Sequence, residues 1–230
     1  SFSPARRTPA ARAALLSKLA IAPSEMAHTR LLLYVGRISP EKNIEILVDM
    51  MQVLATDASA EYHLLFAGDG PRAAWLRAAA LQAAPGRIHL LGHIAHRDEL
   101  ADLYANCDAL VHPNPREPFG IAPLEAMASG LPVVAPQAGG VLSYADARNS
   151  WLVEPAGKDF AAGVREVFFD DGIKAGKVER ALRTAANFDW PRIAATFFDL
   201  YDELYEHSQQ VRGIEAAHQI SSALHSSTAN

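Results

Sequence analysis

Apolar residues along this chain cluster in short runs, and the stretches between them carry helical spacing. RLLLYVG (30–36), YHLLFAG (62–68), RIHLLG (87–92), CDALVHP (107–113), LPVVA (131–135) and a weaker WLV (151–153) read as six strands. Between the first two, EKNIEILVDMMQVLA (41–55) sets Ile44, Leu47, Val48 and Met51 on one helical stripe. PRAAWLRAAALQAA (71–84), HRDELADLYANC (96–107), 158–169 and 173–186 give further helices, with a short one near 140–145. A longer helix over 190–205 carries Phe197, Leu200, Tyr201 and Leu204 as its stripe. Strands that are apolar throughout, rather than alternating, are buried on both faces. Separated by helices, they predict an α/β fold: a Rossmann-like, doubly wound parallel sheet of about six strands.

The two ends read differently. Residues 1–29 are expected to form a connector and a short helix, since Pro4 and Pro9 interrupt the start and Leu15, Leu16 and Leu19 follow at helical spacing. A start on a connector implies an element before it. The main domain then spans 30–206, while 207–230 loses periodicity and is expected to fray.

Composition removes several function classes. At 50% hydrophobic and 20% charged residues, the 230-residue chain suits a soluble globular protein. A formal net charge of −5 argues against nucleic acid as a partner. No apolar run is long enough to cross a bilayer. Cys107 is the single cysteine, which leaves no internal disulfide and favours the cytoplasm. It has no evident base beside it, and no G-x-S-x-G elbow occurs, so hydrolysis through a nucleophile is unsupported. His89, His93, His96 and His112 fall in one region, yet two of them sit in different strands, so no bound metal is expected.

The turns after the strands hold the candidate chemistry, at the edge where doubly wound sheets bind ligands. GRISPEKN (36–43) puts Arg37 and Lys42 five residues apart at a helix start, within reach of one point. A guanidinium fork and a mobile ammonium together suit a diphosphate. A solvated loop paired with Glu41 and Glu45 is the plain alternative. AGDGPRA (67–73) matches G-x-G-x-x-A and opens a dinucleotide-dependent oxidoreductase as a rival. Two features count against the rival: no acid ends the next strand to hold a ribose, and a strand–helix pair precedes the motif.

The stretch EPFGIAPLEAMASG (117–130) organises the rest. Glu117 and Glu125 lie eight residues apart around Gly120 and Pro123, and Pro123 is expected to open a helix over about 122–129. Behind a glycine turn, that helix end offers free amides and a positive dipole end to phosphate. The two carboxylates repel phosphate but accept hydroxyls, so the combination suits a nucleotide-sugar. A capped helix with two surface acids is the plain alternative.

GRISPEKN, AGDGP, LGHI, CDALVHPNPREPFG, LEAMASGLPVVA and the AGG at 138–140 occur in an order and spacing similar to a known family. Over about residues 30–170 the chain resembles the C-terminal, donor-binding domain of GT-B-type retaining glycosyltransferases of family 4, the group 1 transferases. The resemblance implies a hexosyltransferase (EC 2.4) whose donor is a UDP-, GDP- or ADP-linked sugar, with no cofactor and no metal. It implies that Arg37 and Lys42 bind the diphosphate and that Glu117 accepts hydroxyls of the transferred sugar. Gly36, Phe119, Gly120 and Ile121 would line the sugar and phosphates, Leu124 would lie near them, Glu125 would hold the ribose and Ile94 would contact the base. The family's N-terminal acceptor domain has no counterpart in these residues; through it the protein could associate with a membrane, and without it the chain is expected to be nearly inactive. The 190–205 helix resembles the one that packs toward that domain. Ser143 and Ser150 depart from the family, which often has an acid after the double glycine and a glycine before the late strand. A non-catalytic nucleotide-sugar-binding module would read the same at these motifs.

Overall fold

A computed structural model of the protein describes residues 1–22 and 24–227. It forms two compact units, Ser1–Ala186 and Asn187–Asn230. The first holds six strands: β1 Thr29–Val35, β2 Glu61–Ala67, β3 Ile88–Gly92, β4 Ala109–Val111, β5 Val133–Pro136 and β6 Trp151–Val153. All pair in parallel in one sheet of order β3-β2-β1-β4-β5-β6. The fold is thus the doubly wound one that the apolar runs predict.

Alternation along β1 sends Leu32 and Tyr34 to one face and Leu31 and Leu33 to the other, and all four are buried. The first face packs on α2 (Glu45–Leu54), α3 (Ala73–Ala83) and α6 (Gly157–Phe169). Leu47, Met50 and Met51 of α2 and Phe160 and Val164 of α6 fill that layer. The other layer is α1 (Pro9–Lys18), α4 (Arg97–Asn106), α5 (Ile121–Ala128) and α7 (Asp171–Ala186), each packed on the next. After β3 the chain returns across the sheet to place β4 beside β1, with Leu32 opposite Ala109 and Leu33 opposite Leu110. The winding reverses there, so a crevice opens beyond the carboxyl ends of β1 and β4.

The connector is bound into the first unit rather than standing apart from residue 30 onward. Arg12 pairs with Asp108 at 2.6 Å and Arg7 with the same carboxylate at 2.9 Å, while Arg6 pairs with Asp98 and Asp102 on α4. Asp108 also accepts from the Leu31 amide at 2.8 Å, so one half-enclosed carboxylate ties the connector to the central strand.

Three boundaries differ from the pattern. The stretch 41–55 begins with a 3-10 turn, Pro40–Lys42, and Asn43 turns left-handed at φ +52° before α2 starts. Asparagine tolerates that conformation, which a continuous helix would not allow. The helix at the central stretch starts at Ile121, so Pro123 is its third residue rather than its first. Its missing N–H costs nothing there, since the first four amides have no intrahelical acceptor. In the second unit α8 runs Trp190–Ser227, well past residue 205, so the tail read from 207 is helical as far as Ser227. Residues 228–230 of that tail lie outside the described residues.

Candidate active site

Two loops meet over the crevice. The first, after β1, is braced by the loop after β2: the amides of Gly36 and Ile38 donate to the carbonyls of Ala67 and Asp69 at 3.1 and 3.0 Å, and the Arg72 amide returns to Ile38 at 3.0 Å. A Cβ on Gly68 would stand 1.9 Å from the Gly36 carbonyl oxygen, and one on Gly70 2.3 Å from that of Ile38. The glycines of the G-x-G-x-x-A match are therefore spent on backbone contact between neighbouring loops. This gives the dinucleotide fingerprint a different physical reason. The Tyr34 hydroxyl, beneath the first loop, donates to the Arg37 carbonyl at 2.8 Å.

The second loop, after β4, is held by the double glycine. The Gly140 amide donates to the Glu117 carbonyl at 2.8 Å, and a Cβ on Gly140 would lie 1.9 Å from the Pro118 carbonyl oxygen. The Tyr144 hydroxyl donates to the Gly120 carbonyl, and its ring meets Phe119 edge-on at 5.2 Å. Gly120 itself has φ +86°, which aims the chain into α5. The turn that presents the α5 amides is thus fixed from behind by residues some twenty positions later.

A cavity of about 410 Å³ lies between the loops. Gly36, Lys42, Glu117, Phe119, Gly120, Ile121 and Glu125 all line it. Arg37 is exposed beside Gly36 without lining the cavity, and Leu124 is half-buried one residue before Glu125. Ile94 lines a different cavity of about 650 Å³, together with residues of α1, β3 and α4. The structure therefore gathers seven of the ten expected residues and sets Ile94 apart from them.

Lys42 reaches across the crevice to Glu117, Nζ to Oε2 at 2.7 Å. It does not turn back on its own loop: Glu41 accepts from Ser39 at 2.6 Å, and Glu45 pairs with Arg72 at 2.9 Å. Lys42 thus pairs across the crevice rather than with Glu41 or Glu45. Asn114 Nδ2 also donates to Glu117, at 3.1 Å, while its Oδ1 accepts from the Arg116 amide at 3.0 Å. Burial pushes the Glu117 carboxyl up, but Lys42 and Asn114 outweigh it and hold the group below its ordinary range. At the far end, burial raises the Glu125 carboxyl, with only partial relief from the Tyr104 hydroxyl at 3.1 Å.

The histidines scatter as expected from their strands, with one addition. His89 Nε2 stands 2.9 Å from Nδ1 of His63 on the neighbouring strand, and the rings stack. His112 alone of the four lines the central cavity. Asn114, Tyr104 and Tyr144 are site residues that the motifs did not single out. Asn114 could have been found as the Asx residue three before Glu117. The two tyrosines lie far along the chain and carry no local signal.

The family model for glycosyl transferases group 1 matches residues 22–186. The chain belongs to that family. It is 32% identical over 172 residues to a GDP-mannose-dependent alpha-(1-6)-phosphatidylinositol dimannoside mannosyltransferase of Mycobacterium tuberculosis, covering 72% of this chain and 42% of that protein. It is 35% identical over 179 residues to glycogen synthase of the same organism, covering 74% and 42%. The chain thus spans less than half the length of these curated relatives. In fold it matches Anabaena Alr3699/HepE, solved with UDP and glucose, at a TM-score of 0.75 and 24% identity over 88% of this chain and 55% of that one. Sucrose-phosphate synthase from Thermosynechococcus elongatus matches at a TM-score of 0.71 and 26% identity, over 88% and 51%. These are GT-B-type folds, and the family is one of glycosyltransferases (EC 2.4). Among the described residues no helix is long and apolar enough to cross a membrane.

Proposed function

We propose that this chain is the donor-binding, C-terminal half of a family 4 glycosyltransferase that takes its sugar from a nucleoside diphosphate with retention of anomeric configuration. The observation that carries the reading is the Lys42–Glu117 contact of 2.7 Å inside a cavity that also holds Gly120, the start of α5 and Glu125. Lys42, the start of α5 and the two carboxylates all line the cavity, with Lys42 paired to Glu117. A sugar diphosphate nucleoside offers complementary groups: sugar hydroxyls, two phosphates and ribose hydroxyls. The relatives named for GDP-mannose and the neighbour solved with UDP point to the same class of ligand.

In the transfer, the bond between the anomeric carbon and the β-phosphate oxygen breaks and its electron pair leaves with the diphosphate. The acceptor oxygen forms the new bond on the same face, and its proton passes to the departing phosphate. Lys42, with the exposed Arg37 of the same loop, neutralises charge as it develops on the leaving group, together with the amides at the start of α5. That charge stabilisation is the work a divalent metal would otherwise do, so the reaction proceeds without one. Glu117 orients the sugar and Glu125 the ribose. The acceptor is bound by a preceding domain, and these residues alone transfer sugar slowly or not at all.

Calorimetric titration of the chain with UDP, GDP and ADP tests the reading. Binding of one of them in the micromolar to millimolar range is expected. Heat from none of the three would remove the donor-site assignment.

A further inference from the structure

His112 follows β4 directly, and its backbone is pinned by a hydrogen bond of 2.9 Å from its amide to the Val134 carbonyl on β5. The side chain is 6% exposed and lines the cavity that holds Lys42 and Glu117. Its Nε2 is enclosed and has no hydrogen-bond partner among the described residues. Two other side-chain nitrogens share that condition, Nε of Arg30 and of Arg72, but neither residue lines this cavity. Leaving a buried imidazole nitrogen unpaired costs free energy, and such atoms mark strain, a missing water or a waiting ligand. Here the atom belongs to a cavity wall, on the loop that supplies Asn114 and Glu117.

We propose that His112 is a specificity residue of the donor site that hydrogen-bonds a hydroxyl of the transferred sugar through Nε2. The inference rests on the nucleotide-sugar reading of the cavity and adds a contact to it. Burial drives the His112 ring down to about 4, against a weaker pull upward from Glu117 and a push downward from Lys42, the charged groups that face it. The ring is therefore neutral at pH 7 and adds no charge to a diphosphate. A neutral imidazole nitrogen either donates or accepts, and a hydroxyl satisfies both, whereas a phosphate oxygen only accepts. Position agrees with this chemistry: His112 stands on the Glu117 side, where hydroxyl acceptors are gathered.

The test separates this contact from the donor-site reading beneath it. The chain is titrated with UDP and UDP-glucose, GDP and GDP-mannose, and ADP and ADP-glucose, and the pair that binds is carried to two variants. His112→Asn keeps a polar group near Nδ1 and deletes Nε2, while His112→Gln returns an amide to the Nε2 position. His112→Asn is expected to weaken the sugar nucleotide about tenfold and leave the free diphosphate unchanged, with His112→Gln recovering most of the loss. Equal loss on both ligands assigns the ring to phosphate or to packing and overturns the proposal, as does loss on neither. If none of the six ligands binds the native chain, the donor-site reading falls and the inference with it. Nitrogen-15 NMR of the native chain gives an answer independent of variant folding. The His112 Nε2 resonance should move with the sugar nucleotide and stay in place with the diphosphate alone. Equal movement with both would overturn the hydroxyl contact.

Discussion

Glu117 and Glu125 are the same residue type, eight positions apart on the two sides of one glycine turn, and the fold treats them in opposite ways. Glu117 has lost much of its water but gained Lys42 and Asn114, and its carboxyl is held low. Glu125 is also partly buried, on the second turn of α5, yet among the described residues its carboxylate accepts only from the Tyr104 hydroxyl, and its pKa is raised. Burial acts in the same direction on both; the hydrogen bonds from Lys42 and Asn114 outweigh it at Glu117, whereas Tyr104 and the Coulomb pull of Arg97 do not at Glu125. A motif of two acids is therefore not two copies of one function. Glu117 is preset as an ion pair, and Glu125 is a half-buried acceptor served by a tyrosine hydroxyl.

The largest effect should come from removing the cation. Lys42→Ala deletes the proposed diphosphate contact and leaves Glu117 without its ion-pair partner. Nucleoside diphosphate affinity is expected to fall by about 1.5–3 kcal/mol, the usual worth of a charged hydrogen bond, with nucleoside affinity unchanged. Calorimetry with both ligands reads the difference. Equal weakening of the two would mean that Lys42 supports the site as a whole instead of meeting phosphate.

Next comes the sign of each carboxylate's effect on stability. The folded form lowers the Glu117 carboxyl, so its contribution is present above the unfolded value near 4.5 and is lost as pH falls through the folded one. The folded form raises the Glu125 carboxyl, so its contribution is present in acid and is lost as pH rises through the folded value. Glu117→Gln should therefore lower the thermal midpoint at pH 7, and Glu125→Gln should raise it. Both changes should correspond to on the order of 1 kcal/mol of unfolding free energy; the Glu125→Gln effect should shrink as pH falls toward 4.5, and the Glu117→Gln effect only below it. Midpoints across pH 4 to 7 that move the same way for both variants would erase the contrast. In ligand binding the two should also part: Glu125→Gln weakens nucleosides about fivefold, and Glu117→Gln leaves them alone.

How much of this contrast was visible in the residues can be said element by element. All six strands were legible because a parallel sheet covered on both faces leaves uninterrupted apolar runs, as in Leu31, Leu32 and Leu33. The meeting of GRISPEKN with EPFG was legible too, since both follow strands at one sheet edge. The link between Lys42 and Glu117 was not, because a contact over 75 positions depends on strand order, and no local spacing encodes it. Tyr104 and Tyr144 stayed hidden for the same reason, each being an ordinary aromatic on its own element. Ile94 illustrates the converse: its motif placed it after β3, yet β3 is an edge strand and Ile94 lines another cavity. Helix ends were missed where a special backbone intervened, at Asn43 and at Gly120.

The finest test concerns the one hydroxyl that Glu125 has. Tyr104 is fully buried on α4, its ring meets Phe2 edge-on at 5.4 Å, and its hydroxyl donates to Glu125 Oε2 at 3.1 Å. Tyr104→Phe keeps the ring and its packing and deletes only the donor. The bond favours the ionised carboxylate, so its loss should move the Glu125 carboxyl further up and cost about 0.5–1.5 kcal/mol at pH 7. The cost should shrink in acid, where Glu125 is protonated and the lost bond is one between neutral groups. In Glu125→Gln the same tyrosine change should cost less, because a neutral amide oxygen is a weaker acceptor than a carboxylate. A double-mutant cycle measures that coupling directly. Coupling near zero would show that Tyr104 is only a packed ring, and that Glu125 owes its state to burial alone.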